Sequence, residues 1–300
     1  MRVFVTGATG FVGTAVVQEL LSAGHQVTGL ARSEAAAQKL IDLGAEVHRG
    51  DLNDIPSLQA GATAADGVIH LGFIHDFSRF KEMCAVDGKA IEAIGETLAG
   101  TDRPFIVTSG TGVIAKDSII TEQDRLQDDH SPRSATERAV DKIVAKGVRA
   151  SVVRLPPCTH GEGDKGGFIP LLTGIAKERG SSAMIKDGSN VWPAVHKEDA
   201  ARLYRLALEA NAPGGTRYHA VAEQGVPFKI IATAIGEKLG LPVISLQPDD
   251  IAAHFTWFAY FAQFNNLSSA AITQNMLGWT PIHPSLREDL EGDVYFPANN

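Results

Sequence analysis

The chain is poor in cysteine and in positive charge and has no long apolar run, and each shortage excludes a class of protein. Its two cysteines, Cys84 and Cys158, form neither a disulfide framework nor a metal-binding spacing, which favours a reducing cytoplasm. The net charge is −8, so no basic stripe is available to neutralise the phosphates of a nucleic acid. No apolar run is long enough to cross a bilayer, and a predicted strand that starts at Arg2 leaves no room for a signal peptide. We therefore expect a cytoplasmic protein whose partner is a small molecule, with no metal, nucleic acid or membrane.

The sequence does contain a glycine-rich turn close to its start. Residues 2–6 have the pattern of a strand, and apolar residues at positions 12, 16, 17, 20 and 21 predict an amphipathic helix after it. Between the two we expect Gly7 to permit a sharp turn, Gly10 to let the backbone approach a pyrophosphate, and Gly13 to let the helix lie close on the strand. The N–H groups at the helix start would then face the anion. This unit predicts dinucleotide binding, against the alternative of a purely structural turn.

Strand-like and helix-like segments alternate through the first half of the chain. Strands are predicted at 2–6, 26–30, 46–49, 67–71, 104–108 and 150–155, and helices at 10–23, 33–43, 83–98 and 134–146. Strands that alternate with helices of this length imply right-handed crossovers. The pattern predicts an α/β fold with a doubly wound parallel sheet of Rossmann type.

After Pro156 the sequence becomes rich in turn residues, and a small mixed lobe is predicted. We expect residues 1–165 to form a dinucleotide-binding domain, with 190–220 returning to it, and 166–189 and 221–300 to form a substrate-binding lobe. The elements predicted there are helices at 169–179, 229–239, 248–265 and 268–277, a return to the main sheet at 192–208, and a strand near 217–220. Because ligands of doubly wound sheets lie beyond the carboxyl ends of the strands, the lobe would cover that crevice.

The order of these motifs resembles that of the extended and atypical short-chain dehydrogenase/reductases, a superfamily that includes nucleotide-sugar epimerases and dehydratases. Its TGxxGxxG motif is complete at residues 6–13, and similar motifs occur at 50–52, 69–72, 107–110, 154–157 and 195–201. The resemblance implies NAD(P) binding and, as is frequent among relatives, a homodimer. The cofactor contacts that it implies are Gly7, Thr9, Gly10, Phe11, Val12, Gly13, Arg32, Ser33, Asp51, Leu52, Leu71, Gly72 and Pro156.

The end of the second strand predicts which nicotinamide cofactor is bound. An NAD enzyme of this type usually has an acidic residue there for the ribose hydroxyls, whereas the 2′-phosphate of NADP requires a cation. The strand ends Leu30-Ala31-Arg32-Ser33, with no acid. Because Arg32 can hold a phosphate as a planar fork and Ser33 can donate to it, NADP is favoured. Glu34 keeps NAD as the alternative, with Arg32 as an ordinary surface residue.

The Tyr-x-x-x-Lys pair that the resemblance implies is absent. None of the tyrosines is followed by lysine four positions later; they are Tyr204, Tyr218, Tyr260 and Tyr295. If Glu137 matches the glutamate that relatives carry four residues after the lysine, Arg133 takes the lysine position and Asp129 the tyrosine position. A register shifted by two would place Ser131 and Ala135 there. Arg133 could hydrogen-bond the ribose, but with a pKa above about 12 it cannot donate the proton; the alternative for it is a surface arginine.

The hydroxyl that polarises the substrate carbonyl is expected just after the fifth strand. The aligned position is Gly110, which Ser109 and Thr111 flank. One of these two is predicted to bind the substrate oxygen or the nicotinamide carboxamide, the alternative being that both satisfy loop backbone. Asp87, where relatives often have asparagine, is either an active-site polar group or a helix-surface aspartate. Because histidine titrates in the useful range, the candidates for the missing proton donor are His75, His130 and His160.

Residues 254–264 carry a large part of the aromatic side chains in one helix-like run. If this run lined the crevice, so apolar a wall would suit a bulky hydrophobic carbonyl compound better than a sugar. Aromatics at helical spacing more often form core or a subunit contact. Both interpretations stay open at this point.

Together these features predict an NADP-preferring oxidoreductase that moves a hydride between the nicotinamide and a carbonyl or hydroxyl carbon of a small organic substrate. Ser109 or Thr111 would steady the substrate oxygen, Arg133 would hold the ribose, and a histidine or water would supply the proton. One alternative is a nucleotide-sugar epimerase or dehydratase, which needs the same missing tyrosine. Another is a catalytically silent NADP-binding sensor.

Overall fold

A seven-stranded parallel sheet forms the centre of the computed structural model, which describes residues 1–127 and 131–297. The strands of the protein are β1 (Arg2–Thr6), β2 (Gln26–Ala31), β3 (Glu46–Arg49), β4 (Gly67–His70), β5 (Phe105–Gly110), β6 (Ala150–Leu155), β7 (Cys158–His160), β8 (Ser182–Ile185), β9 (Val191–His196), β10 (Arg217–His219), β11 (Glu223–Pro227) and β12 (Val243–Leu246). The central sheet has the order β10-β6-β5-β4-β1-β2-β3, and its pairs are all parallel. This order, which reverses between β1 and β4, confirms the predicted doubly wound fold.

Helices cover both faces of this sheet. They are α1 (Phe11–Ser22), α2 (Glu34–Asp42), α3 (Ile55–Ala64), α4 (Phe80–Leu98), α5 (Ser134–Ala145), α6 (Phe168–Arg179), α7 (Lys197–Glu209), α8 (Phe228–Leu239), α9 (Ile251–Phe255), α10 (Ala259–Ala262), α11 (Ala271–Leu277) and α12 (Leu286–Glu291). On one face α1, α2 and α7 share a core with the strands, and on the other α3, α4 and α5 share a second core. Within residues 1–127 and 131–297, no helix is long and apolar enough to cross a membrane.

The six strands predicted for the first half are confirmed to within two residues at each end. Helix α3, in contrast, is not predicted, because it buries only Leu58, Gly61 and Ala62 and so small an apolar stripe produces little periodicity. Its start does carry a recognisable signal. The side chain of Asp54 accepts a hydrogen bond from the Ser57 N–H at 3.2 Å, and a proline lies in the first turn.

Two smaller sheets build the lobe that follows β6. They have the orders β11-β9-β7 and β12-β8, and the core beside them contains the fully buried side chains of Trp192, Phe228 and Phe258. Strand β9 lies in the range expected to return to the main sheet, but it pairs with β7 and β11 instead. The next two elements do return, because α7 packs in the core of α1 and β10 pairs with β6. A short apolar strand does not reveal from its own sequence which sheet it joins.

The single helix predicted at 248–265 is wrong, because the segment consists of short pieces. Helices α9 and α10 are separated by a 3₁₀ turn at Thr256–Phe258. The break lies at Thr256, a residue with a φ of 51°, where a β-branched side chain is strained. As a result the neighbouring aromatics diverge. Phe255 and Phe258 are buried in the lobe, whereas 49% of Trp257 is exposed.

Candidate active site

The turn between β1 and α1 is closed so tightly that two of its positions accept only glycine. Gly7 has a φ of +68°, and a Cβ atom on it would lie 2.7 Å from the backbone nitrogen of Gly72, in the turn after β4. A Cβ on Gly13 would lie 2.0 Å from the carbonyl oxygen of Gly7. These approaches hold α1 against the end of β1 and bring the β1 and β4 turns together.

The amino end of α1 is open to an anion. Gly10 is the N-cap residue, no side chain caps the helix, and no acidic residue lies in its first turn. The first N–H groups of a helix have no partner within the helix, so those beginning at Phe11 and Val12 are available to a ligand. Thr9 and Gly10 border this end of the helix. These residues fit the pyrophosphate of a dinucleotide, in the manner expected for the glycine motif.

Several predicted cofactor contacts lie at the turn after β4 and in the loops beside it. A Cβ on Gly72 would lie 3.0 Å from the Cδ2 atom of Leu52, so these two residues pack together, with Leu71 adjacent to them in the chain. Asp51 Oδ1 accepts hydrogen bonds at 2.8 Å from the backbone and side-chain nitrogens of Asn53, which fixes the loop. Pro156 is buried just past the end of β6. Their contacts with a cofactor stay a prediction.

A cation that the sequence analysis missed lies near the end of β2. Arg32 is exposed there, and Ser33 caps α2 by accepting from the Ala36 N–H at 3.2 Å. Lys39 extends from α2 to the glycine loop, where its Nζ donates to the Thr9 carbonyl at 2.9 Å. The sequence contains a signal for this cation, because Lys39 follows Arg32 by seven positions on a predicted helix that comes directly after a strand. The acidic neighbour Glu34 pairs with Arg49 at 2.6 Å.

A buried polar chain runs from β1 to Arg133. The Thr6 hydroxyl accepts from the Gly72 N–H at 3.1 Å and lies 2.7 Å from His70 Nδ1. His70 Nε2 lies 3.1 Å from Asp87 Oδ1. Because a carboxylate only accepts, we assign the His70 proton to Nε2, with Thr6 donating to Nδ1.

Asp87 holds Arg133 in this chain. Its Oδ2 accepts from Arg133 Nη1 at 2.7 Å and from the Thr136 hydroxyl. Burial disfavours the carboxylate, but the charge of Arg133 and the hydrogen bond from His70 outweigh that effect and lower the pKa of Asp87 to about 2. Asp87 is 1% exposed, which excludes the helix-surface alternative.

Arg133 lies where β4, β5 and α5 meet. Its Nη2 donates to the Thr108 carbonyl at 3.3 Å, and its guanidinium carbon lies 4.0 Å from the centroid of the Phe73 ring. Ser131 takes the tyrosine position in the register that is shifted by two. It is buried, and its hydroxyl accepts a hydrogen bond from the Arg133 N–H at 3.3 Å. Asp129 lies outside the described residues. The roles of both registers stay predictions.

The two hydroxyls at the end of β5 have different environments. Ser109 is 4% exposed, and its Oγ has no hydrogen-bond partner among the described residues. The Thr111 hydroxyl instead donates to Asn266 Oδ1 at 2.6 Å, which ties the β5 turn to the lobe. Of the two hydroxyls, that of Ser109 is therefore the one without a partner among the described residues, while a catalytic role for either residue stays a prediction.

The candidate proton donors also differ. His75 lies on the exposed loop after β4, 5.2 Å from the Phe73 ring, and partial desolvation together with the charge of Arg133 lowers its pKa. His160 is buried, and its Nδ1 lies 2.6 Å from Asp289 Oδ2. His130 lies outside the described residues. His75 is thus the described candidate beside Arg133.

The sequence that forms this site matches a known protein family. The sequence model of the NAD-dependent epimerase/dehydratase family matches residues 3–220. The chain belongs to this family. As an epimerase/dehydratase family member it shares the fold of solved epimerases and dehydratases.

Relatives of this family member are found in several microorganisms. An uncharacterized protein of Schizosaccharomyces pombe is 47% identical over 297 residues, 99% of this chain and 100% of that protein. A 2-alkyl-3-oxoalkanoate reductase of Stenotrophomonas maltophilia is 26% identical over 258 residues, 81% of this chain and 77% of the reductase. A double mutant of the dTDP-glucose 4,6-dehydratase DesIV of Streptomyces venezuelae, solved with NAD, superposes with a TM-score of 0.75 at 19% identity, covering 99% of this chain and 96% of that one. That likeness confirms the fold.

Proposed function

We propose that this family member is an NADP-preferring oxidoreductase that transfers a hydride between the nicotinamide and a carbonyl or hydroxyl carbon of a small organic substrate. The observation that carries the proposal is the position of Arg133 and Ser109 at the same edge of the sheet as the glycine loop. A dinucleotide on the loop has to extend along that edge. Its redox-active end then meets a fixed cation and a free hydroxyl.

The chain's own groups have separate tasks in this proposal. NADP(H), when bound, supplies or accepts the hydride. Arg133, held by Asp87 and the Thr108 carbonyl, donates to the ribose, and Ser109 donates to the substrate oxygen, where negative charge develops. Arg133 does not move the proton, since guanidinium stays charged. His75 or a water at that loop supplies the proton.

The preference for NADP is supported by two cations between the glycine loop and the end of β2. Arg32 carries a charge without a carboxylate partner among the described residues, and Lys39 bonds the loop at Thr9. Glu34, the acid that would favour a ribose hydroxyl, is engaged by Arg49. A 2′-phosphate would supply acceptor oxygens to Arg32 and a negative charge close to Lys39.

Fluorescence titration of the two cofactors tests this preference. Arg32→Ala and Lys39→Met should each weaken NADPH binding by about tenfold and change NADH binding little. Lys142→Ala is the matched control, because Lys142 is an exposed lysine on α5 that pairs with Glu92. Equal loss of both cofactors in the Arg32 variant would contradict the preference for NADP.

Oxidation of NADPH, followed by absorbance against a panel of ketones, aldehydes and imines, tests the reaction itself. Ser109→Ala should lower kcat by roughly a hundredfold and leave the affinity for NADPH unchanged. Thr111→Val should lower stability instead, because it breaks the bond to Asn266. Tight NADPH binding without turnover of any substrate would favour a sensor.

A second candidate is a nucleotide-sugar epimerase or dehydratase. It is favoured by the likeness to the DesIV dehydratase. The relative named as a 2-alkyl-3-oxoalkanoate reductase favours the first candidate, since its name describes reduction of an oxo compound that is not a nucleotide sugar. Turnover that is confined to UDP- or dTDP-sugars would decide for the second candidate.

A further inference from the structure

Six phenylalanine and tryptophan rings form a continuous band beside the candidate active site. Three come from the segment that runs from the end of β4 to the first residue of α4, and three from the segment that contains α10. We call this band the aromatic wall, and its members are Phe73, Phe77, Phe80, Trp257, Phe261 and Phe264.

The two halves of the aromatic wall meet at Phe77. Its ring stacks on Trp257, with centroids 4.9 Å apart and planes at 23°, and it contacts Phe261 edge-on at 6.0 Å. The main domain and the lobe are therefore joined by rings at this point. Such pairs contribute more than their buried area alone.

The ends of the aromatic wall touch the residues of the proposed chemistry. Phe73 lies against the Arg133 guanidinium at 4.0 Å. At the other end, a Cβ on Gly112 would lie 3.0 Å from the Phe264 ring, and Gly112 follows Ser109 by three residues. The wall thus extends from Arg133 to the β5 turn, the two places where the proposed function puts the ribose and the substrate oxygen.

Core packing does not explain the position of Trp257. Phe255 and Phe258 on either side are buried in the lobe, but Trp257 is 49% exposed. Its direction depends on Thr256, whose φ of 51° is strained for a threonine. Strained backbone that turns a large apolar ring toward solvent, next to a reactive site, is typical of a ligand contact.

The charge beside the aromatic wall does not favour a strongly anionic ligand. Arg133 is the cation that lies over one of its rings, Phe73, and Asp87 already balances that charge. The diphosphate of a sugar nucleotide would have no free counter-charge there. A flat, uncharged ring system, in contrast, can stack on Trp257 and Phe77.

We propose that the aromatic wall binds the substrate, and that the substrate is an aryl ketone or aryl aldehyde. This inference rests on the proposed oxidoreductase function. In the reductive direction the carbonyl carbon gains the hydride from NADPH and the carbonyl oxygen gains a proton from water. The products are the aryl alcohol and NADP⁺, and hydroxide is left to the solvent.

Trp257 reports binding directly, because the other two tryptophans, Trp192 and Trp279, are buried. Acetophenone is titrated into the protein, without cofactor and with NADP⁺, and compared with acetone, which has the same carbonyl but no ring. We expect saturable quenching by acetophenone and none by acetone. UDP-glucose should not compete.

Variants of Trp257 test whether acetophenone binds at the aromatic wall. Trp257→Ala should weaken acetophenone binding, measured by calorimetry, by roughly 2- to 12-fold, and Trp257→Phe should restore most of it. NADPH binding should stay unchanged in both. Met276→Ala is the matched control, since Met276 is an apolar side chain on α11 that is 51% exposed.

The outcomes distinguish the two proposals. Absence of acetophenone binding, unchanged binding in Trp257→Ala, or displacement of acetophenone by UDP-glucose would overturn the assignment of the aromatic wall, even if NADPH is bound and oxidised. Acetophenone binding that depends on Trp257 in a protein that binds no NADPH would support the wall and overturn the oxidoreductase function.

Discussion

At the scale of single residues, the buried Asp87 carboxylate fixes the position of Arg133 and balances its charge. It accepts hydrogen bonds from three residues, His70 at the end of β4 and Arg133 and Thr136 at the start of α5. Arg133 is thereby held with its charge balanced inside the protein. A lysine there would reach the ribose as a point charge, whereas the planar guanidinium also lies flat against Phe73.

Asp87→Asn should lower the free energy of unfolding at neutral pH by about 3 kcal/mol, because it leaves the Arg133 charge without its partner. Urea unfolding measures the change. Since the pKa of Asp87 is lowered from 3.8 to about 2, the contribution of the pair is complete above 3.8 and is lost as the pH falls through 2. The difference between wild type and variant should shrink over that range.

The double variant Asp87→Asn/Arg133→Met removes both charges and is the control for this pair. It should be more stable than Asp87→Asn alone, because no buried charge is left unpaired. Equal stability of the single and double variants would show that the pair does not govern Arg133.

At the scale of secondary-structure elements, glycine residues determine how closely α1 packs on β1. Gly13 lets the helix approach the strand, and Gly10, the N-cap residue, leaves the first N–H groups uncovered. Because a Cβ on Gly13 would press against Gly7 in the same turn, we expect a substitution there to affect packing and ligand binding together.

Gly13→Ala should destabilise the protein by roughly 1–3 kcal/mol and weaken NADPH binding, because its Cβ would lie 2.0 Å from the Gly7 carbonyl oxygen. Gly174→Ala is the matched control. Gly174 also lies inside a helix, α6, but a Cβ on it would meet nothing within 4 Å, so alanine should stabilise by up to about 1 kcal/mol. Thermal unfolding and a cofactor titration of both variants measure the contrast. Normal NADPH affinity in Gly13→Ala would contradict the role of the loop.

Buried polar groups join the sheet to the C-terminal segments at the scale of the whole molecule. Arg154, which is fully buried, pairs with Glu137 at 2.6 Å, and its Nη1 lies 3.3 Å from His219 Nε2. His219 Nδ1 lies 2.7 Å from the Ser269 carbonyl. The ring therefore carries its proton on Nδ1 and is neutral in the folded protein.

This histidine predicts how the stability of the molecule depends on pH. Burial, and then the charge of Arg154, lower the pKa of His219 from 6.5 to about 4. The unfolded chain therefore binds a proton more readily between these values, and the folded state should lose stability as the pH falls through that window. His219→Gln should flatten this dependence in urea unfolding. An unchanged slope would assign the acid sensitivity to other groups.

Local patterns account for the part of the fold that could be predicted. The glycine spacing after β1 and the alternation of strands and helices are short-range features, so the central sheet followed from them. The lobe did not, because its strands are short and their sheet is chosen by long-range pairing, as β9 shows. Helix α3 was not predicted, because Gly61 and Ala62 occupy buried positions that larger apolar residues usually fill.

The candidate site also has one part that local sequence patterns predict and another that depends on long-range contacts. The sequence by itself determined the glycine loop, the absence of the tyrosine–lysine pair and the cation at position 133, since these depend on residue type and spacing. Only the tertiary structure decided that Asp87 neutralises Arg133, that Lys39 reaches Thr9, and that Trp257 stacks on Phe77. Those contacts join residues from separate elements, and the direction of Trp257 depends on the φ angle of Thr256, which no residue pattern predicts because packing imposes it.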